Sequence, residues 1–62
     1  MMFLITIRLR DGQQLEVSVD DAAREEFEGE FAEDAGILRI TLDTGVLVVV
    51  QSEIVWYRIS NA

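Results

Sequence analysis

Neither cysteine nor histidine occurs anywhere in these 62 residues. A chain this short buries one small core, worth roughly 3–5 kcal/mol net, and folds of this size usually add disulfides or a structural metal. The composition closes those routes, because no disulfide, thiolate site or imidazole site can form. It also removes Ser-His-Asp and Cys-His nucleophilic catalysis. Packing, local propensity and association with a partner are what can hold such a fold together. With 50% hydrophobic residues the chain is expected to order as one domain over 1–62, with no linker.

Two kinds of periodicity divide the chain. Phe3, Ile5, Ile7 and Leu9 alternate with more polar positions, as do Leu15, Val17 and Val19 after the turn signal Asp11-Gly12. A shared apolar face predicts the pairs Leu9–Leu15, Ile7–Val17 and Ile5–Val19, with Arg8 opposite Glu16 and Thr6 opposite Ser18. Ala23, Phe27 and Phe31 then recur every four residues, which is helical spacing. Ser18 or Asp20 is placed to cap that helix, and Gly36 to end it. Leu38, Ile40 and Leu42 restore the alternation, and Asp43-Thr44-Gly45 reads as a three-residue hairpin loop giving Leu42–Val46, Ile40–Val48 and Leu38–Val50. A further turn at Gln51-Ser52-Glu53 returns Ile54–Ile59 alongside the preceding strand.

The expected fold is therefore α+β in the order β-β-α-β-β-β, an antiparallel sheet with one helix. In that register Val46, Val48, Val50, Ile54 and Trp56 face the helix, and Leu47, Val49, Val55, Tyr57 and Ile59 form the opposite face. One helix cannot cover both faces, so either the sheet curls into a partial barrel or the second face meets another surface. Leu47, Val49, Val55 and Tyr57 are the expected self-association face, with the chain a monomer or a homodimer.

Net charge is confined to one stretch. Asp20, Asp21, Glu25, Glu26, Glu28, Glu30, Glu33 and Asp34 surround the single base Arg24, so this segment sums to −8 + 1 = −7, the net charge of the whole chain. The remaining four acids and four arginines cancel, and there is no lysine. Direct binding to nucleic acid, which needs a basic patch, is excluded. The apolar start lacks the basic residues that precede a secretory signal, and the longest apolar run, Val46–Val50, is five residues against the roughly 20 of a membrane helix. A cytoplasmic protein with no membrane association is expected.

No residue set carries catalysis, and no metal or cofactor is expected. Leu42-Asp43-Thr44-Gly45-Val46 is similar to the active-site turn of retroviral-type aspartic proteases. The second apolar glycine motif and the flap of those enzymes have no counterpart here, and ordinary turn chemistry accounts for the string. Paired carboxylates such as Glu26 and Glu30 lack the loop that builds a calcium site.

A solvated helix normally mixes charge signs at i,i+4, whereas this one carries a nearly unbroken acidic ladder. In its shortness, acidity and charge run Asp20–Asp34, the chain resembles phage-encoded inhibitors, namely DNA-mimic proteins and the anti-CRISPR proteins that block target-DNA binding by a CRISPR effector complex. The resemblance is to a class with no common motif, so it transfers no residue roles. Mimics often spread their acids over strands as well, whereas here they cluster on one helix. It implies a non-enzymatic inhibitor that acts in a bacterial host and fits the basic groove of a protein partner. By the charge argument Asp21, Glu25, Glu26, Glu28, Glu30, Glu33 and Asp34 are the partner-binding residues. The alternative is a small assembly subunit that self-associates through its C-terminal strands.

Overall fold

The computed structural model describes residues 1–62. Its elements are β1 (Met2–Leu9), β2 (Gln14–Asp20), α1 (Asp21–Ala32), β3 (Ile37–Leu42), β4 (Gly45–Val50), a 3-10 turn (Gln51–Glu53) and β5 (Ile54–Asn61). The order matches the expected one, but the strands form two antiparallel sheets rather than one. β1 lies between β2 and β5 in the first sheet, and β3 and β4 make a separate hairpin. The two sheets do not close into a barrel.

β5 pairs with β1, not with β4, and a register shift at Arg8/Leu9 leaves Val55 between Trp56 (opposite Arg8) and Ile54 (opposite Leu9). This bulge puts Ile54, Tyr57 and Ile59 against the core and Trp56 on the outer face. The turn that redirects β5 is anchored away from β4. Arg10 donates from its backbone N to Glu53 O (2.9 Å) and from Nε to Ser52 O (2.8 Å).

Both hairpin registers differ from the sequence-based expectation, with different consequences. β1 and β2 pair Ile7–Leu15, Ile5–Val17 and Phe3–Val19, two residues from the expected register. An even shift preserves the faces. The loop is longer because Gly12 N–H donates to Leu9 O, Leu9 N–H donates to Gln13 O, and Gln13 N–H donates to the Asp11 carboxylate. Gly12 adopts φ +92°, the left-handed conformation that closes this turn.

In the β3–β4 hairpin the pairs are Leu42–Gly45, Ile40–Leu47 and Leu38–Val49, a shift of one residue. An odd shift turns every β4 side chain to the other face. Leu47 and Val49 therefore join the core, while Val46, Val48 and Val50 are 58%, 56% and 49% exposed. The cause is the turn. Only Asp43 and Thr44 separate the strands, neither has positive φ, and Gly45 takes φ +148° as the first paired residue of β4.

The core comprises Ile5, Ile7, Val19, Ala23, Phe27, Leu38, Ile40 and Val49. The helix packs chiefly on β3 and also reaches β1 and β2. Phe27 is fully buried, and its ring meets Tyr57 edge-on at 5.1 Å, while Phe31 meets Tyr57 at 4.8 Å. These aromatic contacts tie the helix to the far strand of the first sheet.

Asp20 caps the helix by accepting from Ala23 N–H at 2.9 Å. The helix ends earlier than Gly36. Ala35 N–H bonds Glu30 O and Asp34 N–H bonds Phe31 O, a Schellman closure with Asp34 itself at φ +56°. Gln51 then joins the helix end to the β4–β5 corner, donating from Nε2 to Phe31 O (3.1 Å) and accepting from Gly36 N–H on Oε1 (3.3 Å). Gln51→Ala removes both contacts and is expected to lower unfolding free energy by about 1–2 kcal/mol. Chemical denaturation beside Gln14→Ala, an exposed glutamine without such bonds, measures this, and the control is expected to stay within about 0.5 kcal/mol of the native chain.

Candidate binding surface

Alternation of Ala23, Phe27 and Phe31 toward the core forces the acids of α1 outward. Their environments are not equivalent. Arg24 lies over the Phe3 ring, 4.8 Å from its centroid, and its guanidinium bonds Asp21 (2.6 Å) and Glu28 (2.9 Å), with Glu25 at 3.7 Å. Hydrogen bonds to Asp21 and then Glu28 raise the Arg24 pKa above its ordinary value. Three carboxylates thus share one arginine on one flank of the helix.

Glu30 has a different task. Its Oε1 accepts from the backbone N–H of Arg39 at 3.0 Å, clasping β3 to the helix. Glu26, Glu33 and Asp34 are exposed and make no ion pair, and Glu25 is exposed with only the longer Arg24 contact. The seven acids expected at a partner surface therefore separate into an internally engaged set (Asp21, Glu28, Glu30) and an outward set (Glu25, Glu26, Glu33, Asp34). Periodicity alone does not distinguish them. The i,i+3 and i,i+4 placement of Asp21 and Glu28 around Arg24 is the signal that separates the first two. The Glu30 clasp depends on how β3 folds back, which no local pattern encodes.

The expected self-association face is not the exposed one. Val49 is buried, Leu47 and Tyr57 are half-buried against the core, and only Val55 lies open. The outward apolar residues of the hairpin are instead Ile37, Val46, Val48 and Val50, with Arg39 and Thr41 among them. Trp56 is outward on the first sheet, opposite Arg8.

Asp43, the aspartate of the protease-like string, sits exposed in the β3–β4 turn. With Asp20, Ser18 and Thr41 it lines a shallow cleft between β2 and the hairpin. No three carboxylates gather at metal-binding range, and no helix is long and apolar enough to cross a membrane. Thr6 is fully buried beneath the outer face of the first sheet, and its hydroxyl has no hydrogen-bond partner.

Asp34 links the fold to this surface. An L-residue in the left-handed region carries a conformational cost that glycine does not. Asp34→Gly is expected to raise unfolding free energy by about 0.5–1 kcal/mol while removing one outward charge. A thermal melt against the native chain measures it, and a lowered stability would show that the carboxylate itself holds the helix end.

Comparison with protein-family models, with curated proteins and with solved structures gives no match.

Proposed function

We propose that this protein is a non-enzymatic binding module that inserts its acidic helix into the basic, nucleic-acid-binding groove of a partner protein. It would act as a DNA-mimic inhibitor in the bacterial cytoplasm, and a CRISPR effector complex is one partner of the required chemistry. The observation that supports this reading is the outward set Glu25, Glu26, Glu33 and Asp34, which leaves the helix with uncompensated negative charge and with its only base engaged. Like-charge repulsion along a helix is destabilising by a few tenths of a kcal/mol per pair, and a basic partner relieves it. Glu25 and Glu26 in the first half of the helix stand about two turns, roughly 10 Å along the axis, from Glu33 and Asp34 at its end, giving two clusters of acceptors that arginines and lysines of a phosphate-binding groove can engage.

The test is a variant that preserves the structural acids. Glu25→Gln, Glu26→Gln, Glu33→Gln and Asp34→Asn together reduce the net charge from −7 to −7 + 4 = −3, leaving the Arg24 pairs with Asp21 and Glu28 and the Glu30 clasp intact. Native and substituted baits are offered bacterial lysate at low and at high salt. The native bait is expected to hold a nucleic-acid-binding protein that added duplex DNA displaces and high salt releases, and the variant to hold it at least about tenfold less. Equal capture by both baits, or capture insensitive to salt and DNA, contradicts the proposal.

A further inference from the structure

We propose that two copies of this chain pair edge to edge through β4, joining their hairpins into one four-stranded antiparallel sheet centred on Val48. The first support is the direction of the β4 backbone. Gln51 N–H donates to Gly36 O, continuing the register that pairs Val49 with Leu38 and Leu47 with Ile40. Hydrogen-bonded and non-bonded pairs alternate along such a ladder, so the N–H and C=O groups of Val46, Val48 and Val50 point away from β3. β4 has no strand on that side.

The second support is what this edge lacks. The outward residues of β2 include Glu16, β5 carries Arg58 and the Val55 bulge, and β3 carries Arg39. β4, Gly45–Val50, has no charged residue, no proline and no bulge. Free edges in monomers are normally blunted by just those devices. The same three valines that direct their backbone outward also expose their side chains. The fold thus turns three β-branched residues to solvent and places Leu47 and Val49 inside.

The uncharged edge and its self-complementary order select a second copy as the occupant. Antiparallel pairing about a two-fold axis sets Val48 against the partner's Val48 and Val46 against the partner's Val50, so no like charges oppose one another. The two-fold that sets Val48 against the partner's Val48 runs normal to the sheet, so both acidic helices, each packed chiefly on its own β3, lie on the same face of the joined sheet and their repulsion weakens the dimer at low salt. The edge presents no charged group of its own that would call for a partner of complementary charge.

Area sets the strength. A standard stable interface covers about 800 Å² per partner, roughly a fifth of this chain's 4090 Å². One strand edge with its valine row covers less, which places the dimer in the weak, concentration-dependent class.

Sedimentation of the native chain from micromolar to millimolar concentration tests this, beside Val48→Lys, Val46→Lys and Ser18→Lys. Both valines are exposed, so circular dichroism is expected to show native folds, and two substitution sites guard against one failing to fold. The native chain and Ser18→Lys, on the β2 edge, are expected to show the same reversible monomer–dimer equilibrium. The β4 variants are expected to dimerise at least tenfold more weakly. Added salt is expected to leave or strengthen the native dimer, opposite to its effect on a basic partner, so this test and that of the proposed function fail independently. A native chain that stays monomeric throughout overturns the proposal, as does a dimer unaffected by both β4 substitutions or lost equally in Ser18→Lys.

Discussion

The pairing of β3 with β4 decides more of this molecule than any other contact. With a register sum one lower than a three-residue loop would give, Leu47 and Val49 face Leu38, Ile40 and the helix. That inner surface receives Phe27, whose burial brings Phe31 and Tyr57 together and ties the helix to β5. The helix is then held at a fixed height, where Glu30 reaches the Arg39 backbone and Gln51 reaches the helix end. A one-residue slip would bury the three valines in place of Leu47 and Val49 and remake each of these contacts. With a core of eight buried apolar residues, no cysteine for a disulfide and no cluster of three metal-ligating side chains, the fold has little to spare for such a change.

Much of this is legible in the sequence. Alternation located β1 and β2, the four-residue stripe located the helix and its buried face, and Asp20 was a candidate cap. The failures have physical causes. Val46–Val50 is apolar at every position, so periodicity is blind to which face is inside, and only turn geometry breaks the tie. Gly45 reads as the last residue of a three-residue loop, yet it is the first paired residue of β4, at a positive φ. Chain proximity suggested that β5 would return beside β4. The Arg10 bonds to Ser52 and Glu53, which no local pattern announces, carry it to β1 instead.

The acidic helix shows a similar division between composition and structure. Composition identified where the charge lies, and the expected partner-binding acids all lie on α1 or in the turn at its end. Structure assigns several of them internal work, through Arg24 and through the Arg39 backbone, and leaves a smaller outward set. Charge is thus presented on one side of the molecule and uncharged strand edge on another. The two surfaces fall under different physics: association through the acidic helix would weaken with salt, and association through the strand edge would not.

The β3–β4 register can be read directly by NMR. Residues facing each other in non-hydrogen-bonded antiparallel pairs bring their α-carbons to about 4.5 Å, close enough for strong cross-strand Hα–Hα contacts. The account predicts such contacts between Arg39 and Val48 and between Thr41 and Val46. Contacts joining Ile40 to Val48 or Leu38 to Val50 would contradict it, placing the valines in the core and removing the exposed edge on which the self-pairing rests.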